Sequence, residues 1–287
     1  MATMKAIKKR ISSVNNTKKI MKAMDLVAAS KLQKARTRLD DVRPLYDNIR
    51  LVMDEIRAGL GADEDVPFAQ EREVKNVAYV ILTSDRGLCG GYNTNVAKEA
   101  LTLMNDNADV QCKVMTVGFK GYEYFRRRGK DIIQRYAGAN ETTTFDDAEL
   151  IGTQLASMYT SGEIDEAWLV YTHFETVLSH VPASMKLLPI SAGPSGSGDS
   201  KPAEMSYDPD IITFITSAVP MYLNVTIYGA MMESAVCEYA SRMTSMSAAT
   251  RNAGEIIDHL TLDYNRKRQG MITQEITEIV SGANALK

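Results

Sequence analysis

The sequence is poor in the residues that build disulfide scaffolds, metal centres and large aromatic cores. In 287 residues it has three cysteines, three histidines and one tryptophan, and aromatics make up only 7%. Cys89, Cys112 and Cys237 lie far apart without CxxC spacing, which excludes a disulfide framework and fits a reducing, intracellular compartment. His173, His180 and His259 are not paired at metal-ligand spacing, and no cysteine near the first two completes a site. No apolar h-region follows the basic start MATMKAIKKR, so no signal peptide is expected. Nor is there an uncharged apolar run of about 18 residues to span a bilayer; membrane association is expected only through a partner. No GxSxG elbow or HExxH is present, and no pair of carboxylates stands apart from ordinary solvated acids. No active site, metal or cofactor is expected.

What the chain has in quantity is apolar residues (45%), 16 methionines and an uneven distribution of charge. Methionine-rich surfaces suit sliding helices as well as ordinary cores. The net charge is −3, yet the first 38 residues hold eleven Lys or Arg against one acid, Asp25. So polarised a chain is expected to meet something acidic at one end.

The strongest pattern is a heptad. Alternate steps of three and four from Met4 reach Ile7, Ile11, Val14, Lys18, Met21, Asp25, Ala28, Leu32, Ala35, Leu39, Val42, Tyr46, Ile49, Met53, Ile56 and Leu60; fifteen of these seventeen positions are apolar. Such a seam predicts a coiled-coil helix over 1–60, roughly 85 Å long at about 1.5 Å per residue. Pro44 should kink it without ending it, because the seam resumes at Tyr46. A second seam starts at Tyr222 and passes through Val225, Gly229, Met232, Val236, Tyr239, Met243 and Met246 to Met271. It predicts a partner helix over 208–287, starting near Asp210, with Pro220 as a kink or a boundary. The last stripe, Ile272, Ile276, Ile279 and Leu286, slips out of the strict heptad.

Between them, over 74–205, short apolar runs alternate with helical stretches. Strands are expected near 77–83, 114–117, 168–172 and 185–190, and helices near 94–105, 121–128 and 146–160. This is the grammar of a mostly parallel, Rossmann-like α/β domain. The run SAGPSGSGDSKP at 191–202 reads as a loop. The fold class is therefore a long antiparallel two-helix coiled coil with an inserted α/β domain.

The glycine-rich turn SDRGLCGGYN at 84–93 lies between a strand and a helix, where a dinucleotide fold binds phosphate. It matches neither GxGxxG nor GxxxxGK[ST]. It reads as a structural turn or a docking loop, with Cys89 a small buried thiol packing the turn rather than a reactive thiol near Arg86 and a helix start. The basic first helix has an uninterrupted seam and no aromatic residue before Tyr46. That combination favours a solvated face or an acidic protein partner over nucleic acid. Lys18 and Asp25, the two seam exceptions, set the register or mark where the helix leaves its partner.

Four separated motifs carry a resemblance across the whole chain: IKKRISSVNNTKKIMKAMDLVAASKLQKA at 7–35, SDRGLCGGYN, YDPD at 207–210, and NRKRQGMITQEITEIVSGANAL at 265–286. Together they resemble the gamma subunit family of the rotary ATP synthase. The resemblance implies a non-catalytic central rotor shaft, one copy per complex. It couples ion flow through a membrane ring of c subunits to ATP synthesis or hydrolysis in a ring of alpha and beta subunits. It implies that Lys18, Lys22, Met24 and Lys31 face acidic lever loops of the beta subunits, and that Arg242, Gln269, Thr273 and Glu275 take part in coupling. Ile276, Ile279 and Leu286 would turn in the collar of the ring. The Tyr207 region would face the epsilon subunit and the c-ring. Absence of a transit peptide implies a bacterial enzyme at the cytoplasmic face of the cell membrane. Leu26 stands where the family often has Met, and Lys287 adds a charge to the tip.

Overall fold

A computed structural model describes residues 3–59, 68–69, 72–107, 109–177, 179–190 and 211–285. Tyr207, Leu286, the seam position Leu60 and the 191–202 loop lie outside them. Contacts group the chain into two compact units, Met1–Ala28 with Arg242–Lys287, and Ala29–Ser241.

Helix α1, Met4–Gly59, opens with Thr3, whose Oγ1 accepts the Ala6 N–H at 3.3 Å. Every described seam position is buried or half-buried. Among the described residues outside the seam, only Met24, Ala29, Lys31 and Arg38 are less than exposed. The heptad is thus a physical stripe. The helix continues through Pro44 without ending, as the seam resuming at Tyr46 predicts. Both Pro44 and Asp40, whose carbonyl loses its donor, face solvent, where water can satisfy that oxygen.

In the first unit α1 lies antiparallel to the end of α5, Ile211–Ala285. Lys18 reaches Gly254, and Ile7 lies by Leu260 and Lys267. In the second unit the same antiparallel sense holds: Tyr46 meets Gly229 and Lys31 lies over the Tyr239 ring. A β-carbon on Gly229 would stand 2.5 Å from the Tyr46 ring, so only glycine permits this approach. Residues 222–241 of α5 are buried all round except Tyr228, and the helix passes through Pro220.

The second unit also holds a five-stranded sheet of order β3-β2-β1-β4-β5. Its strands are β1 (Asn76–Leu82), β2 (Gln111–Val117), β3 (Asp131–Tyr136), β4 (Glu166–Phe174) and β5 (His180–Leu188). The first four are parallel, and β5 runs back along β4. The crossovers are α2 (Tyr92–Asp106), α3 (Phe119–Arg126) and α4 (Phe145–Thr160). Val77, Tyr79 and Ile81 of β1 pack with Val96, Ala100 and Met104 of α2 and Phe125 of α3. Ala78, Val80 and Leu82, on the opposite face, are equally buried, so β1 reads as an unbroken apolar run. Tyr79 keeps its hydroxyl satisfied through Asn107 Nδ2 at 3.3 Å.

The sequence reading omitted one element, β3. It is an edge strand whose residues are half-buried or exposed, and DIIQRY carries no sustained alternation. Gly118, at φ +100°, closes the β2–α3 turn, and a β-carbon there would lie 2.2 Å from the Thr83 carbonyl oxygen.

Candidate functional site: helix surfaces and their junction with the sheet

The loop after β1 is built inward. Ser84 N–H donates to Asn93 Oδ1 at 2.8 Å, and Asn93 Nδ2 donates to Cys89 Sγ at 3.2 Å. Asp85 accepts the Phe119 N–H at 2.9 Å and the Gly138 N–H at 3.1 Å, tying the loops after β1, β2 and β3 together. Cys89 is buried, as its place in the turn predicts. Strand order reverses between β1 and β4, the switch point where doubly wound sheets bind their ligands. Here Ser241 of α5 donates its hydroxyl to the Cys89 carbonyl at 2.6 Å. The chain's own helix stands where a ligand would.

Two further junctions fasten α5 to the ends of the strands. Cys237 Sγ donates to the Thr172 carbonyl at 3.6 Å, and burial pushes this thiol well up. Glu233, its side chain only 3% exposed, pairs with His173 Nδ1 at 2.9 Å. Burial raises the Glu233 carboxyl, against the opposing pull of His173 and Arg43.

Glu141, in the loop before α4, gathers both long helices. Its Oε1 takes Lys31 Nζ of α1 at 2.6 Å, and its Oε2 accepts the Tyr239 hydroxyl of α5. Arg38 of α1 donates to the Glu141 carbonyl and, at 3.3 Å, to that of Thr143. Burial alone would raise the Glu141 carboxyl, but the hydrogen bonds from Lys31 and Tyr239 prevail and hold it at about 2. The same contact, added to burial, pushes the Tyr239 phenol up.

In the first unit Lys18 and Met24 are half-buried, Lys22 is exposed, and Arg242 is half-buried. Gln269, Thr273 and Glu275 are exposed, and Thr273 Oγ1 donates to the Gln269 carbonyl at 2.9 Å. From Arg268 through Asn284 every residue of α5 is exposed, with Met271, Ile272, Ile276, Ile279 and Val280 among the large apolar side chains. Lys31 belongs to the second unit and is already engaged. Sequence reasoning missed the contacts made by Glu141, Tyr239, Arg38, Ser241 and the His173–Glu233 pair. Tyr239 was visible only as a seam position, and Glu141 sits in a polar loop with no motif. Among the described residues no group of three His, Cys, Asp or Glu could hold a metal, and no helix is long and apolar enough to cross a membrane.

A bare helix end, antiparallel pairing of two long helices and a sheet whose switch point is covered by the chain's own helix define a coiled-coil protein with an α/β domain. The ATP synthase family model matches residues 3–286. The ATP synthase gamma chain of Alkaliphilus metalliredigens is 41% identical over 99% of each chain. Among solved structures, the central stalk and c-ring of the Tetrahymena thermophila mitochondrial ATP synthase matches with a TM-score of 0.61 at 25% identity, covering 80% of this chain and 99% of that one. The rotor of the Euglena gracilis mitochondrial enzyme shares the fold, with a TM-score of 0.67 at 17% identity and coverage of 94% and 98%. The chain belongs to the ATP synthase gamma chain family, the central-stalk rotor that serves ATP synthesis in a membrane-associated complex.

Proposed function

We propose that this rotor subunit is itself non-catalytic and turns as a single copy inside a ring of alpha and beta subunits. The observation that carries this is the naked end of α5. Seventeen successive residues, 268–284, are exposed on every side, and five of them are large and apolar. Water is a poor neighbour for such a surface, so a partner is expected to surround it. Ile276 and Ile279, with Leu286 beyond them, form the tip bearing. An apolar tip makes no directional hydrogen bonds that would hold it at one angle.

The basic first helix supports the second part of this reading. Lys18, Lys22 and Met24 meet acidic levers of the beta subunits, with Arg242, Gln269, Thr273 and Glu275 contributing from α5. Lys31, which the family resemblance also assigns to the levers, keeps 42% of its side chain exposed but gives its ammonium to Glu141. Different angular positions offer each beta subunit a different set of these contacts, which biases its nucleotide site toward open, loose or tight states. The α/β segment, 74–205, together with the Tyr207 region, faces the epsilon subunit and the c-ring at the cytoplasmic side of a bacterial membrane.

Reconstitution with alpha and beta subunits tests this directly. Co-assembly and ATP-driven rotation are expected. A monodisperse homodimer without affinity for alpha and beta would instead mark a static coiled-coil scaffold. Saturable binding of ATP or NAD to the isolated chain would favour an enzyme, and Ser241 over the switch-point loop argues against it.

A further inference from the structure

A rotor must pass force between its sheet-bearing part and its helices. In the second unit the helix α5 is held to the strand ends at several places, namely Ser241, Cys237 and Glu233. Helix α1 is fastened differently. Among its ties to the α/β part are Lys31 to the Glu141 carboxylate and Arg38 to the carbonyls of Glu141 and Thr143. Lys31 and Arg38 are one heptad apart, so they lie on one face of α1 and reach the same short loop. The other oxygen of the same carboxylate takes the Tyr239 hydroxyl of α5. Lys31 also lies 5.6 Å from the centre of the Tyr239 ring, closing a triangle of α1, α5 and loop.

We propose that Glu141 is a torque clasp, a positioning residue that pins α1 and α5 together to the α/β body so that load cannot slide one helix past the other.

Away from shape-specific contacts such as Tyr46 on Gly229, a heptad seam resists such sliding weakly, because a shift of one repeat meets another apolar set. A charged, two-sided clasp at one level removes that freedom. Its three side chains come from α1, α5 and the intervening loop, so it breaks if any one of the three moves. The Lys31 side chain is 42% exposed and that of Glu141 19%, a half-buried setting in which geometry matters more than bulk stability. On this account Lys31 works inside the chain, which separates it from the partner-facing residues Lys18 and Lys22.

The test uses the complete complex in vesicles, with the ratio of protons pumped to ATP hydrolysed measured per assembled complex against a rising opposing gradient. The proposal rests on the rotor role, so wild type is the control: hydrolysis without pumping there would fault the rotor reading and not the clasp. Glu141→Ala is expected to lower the ratio about two- to tenfold at high load, with Lys31→Glu doing the same. The exchange Lys31→Glu with Glu141→Lys is expected to restore it. Should the alanine variant fail to assemble, Glu141→Gln is read by the same criteria. A purely structural residue would reduce the amount of complex and leave the ratio unchanged. An unchanged ratio under load overturns the proposal, and so does an exchange no better than either single change. A defect in Lys31→Glu without one in Glu141→Ala would overturn it in favour of a lever contact.

Discussion

The Tyr46 ring of α1 lies against Gly229 in α5, so close that a β-carbon on the glycine would stand 2.5 Å from it. The Tyr46 side chain is 5% exposed and has little room to retreat. Gly229→Val should therefore destabilise the second unit by about 1–3 kcal/mol through overpacking. Thermal unfolding of the purified chain measures it; an unchanged Tm would show that the helices separate there without cost.

The three-loop anchor at Asp85 gives a second expectation. Asp85→Ala leaves the N–H groups of Phe119 and Gly138 without their acceptor and should cost about 1–3 kcal/mol. Denaturant titration monitored by circular dichroism checks this. Asp85→Asn, which keeps one carbonyl oxygen, should lie between the two.

The Glu141 clasp sets a pH dependence with two limbs. A carboxyl held at about 2 contributes stability that is present above its unfolded value of about 4.3 and is lost as pH falls through about 2. Tyr239 is shifted upward, so its contribution is present below its unfolded value of about 10 and is lost as pH rises through the shifted value. Wild type and Glu141→Gln should therefore differ most in Tm at neutral pH and converge toward pH 2. A constant difference across that range would count against the assignment.

The His173–Glu233 pair acts in the opposite direction. Burial raises the Glu233 carboxyl, so its favourable contribution is complete below the unfolded value and is lost as pH rises through the folded one. His173→Ala removes its hydrogen-bond partner at a position 3% exposed. The deficit relative to wild type should be larger where Glu233 is ionised than at low pH, where its carboxyl is protonated. Arg43 remains nearby to limit it. Unfolding at several pH values would expose a flat deficit if the pair is unimportant.

The tip is expected to behave as surface in isolation and as interface in the complex. Ile276→Asp with Ile279→Asp should leave the stability of the free chain within about 0.5 kcal/mol, since both side chains are exposed. The same variant should slow or halt rotation once alpha and beta subunits surround it. Unaltered rotation would remove these residues from the bearing.

How legible these features are in the sequence follows from where their partners lie. The α1 stripe repeats every few residues, so each position predicts the next, and burial follows the seam from Met4 to Ile56. Strand β1 announces itself because both its faces are covered, whereas β3 pairs only on one side and shows a half-exposed pattern that composition does not distinguish from loop. Glu141 meets Arg38 and Tyr239 at separations of 103 and 98 residues, with ordinary polar neighbours. No local rule points to such a pairing. Lys31 illustrates the other limit: nothing in its basic run points to the acid, Glu141, that the fold brings to it from 110 positions along the chain.

The reversed strand β5 has a consequence for how the chain is assembled from parts. Because β5 runs against β4, its final residues return to the end of the sheet where β1 begins: Val77 pairs with Glu166, and Leu188 with Ala167. One strand separates β1 from β5, which sets their axes about 10 Å apart. The sheet therefore receives the chain at Asn76 and releases it at Leu188 from one and the same end, whereas a β5 parallel to its neighbours would release it from the opposite end.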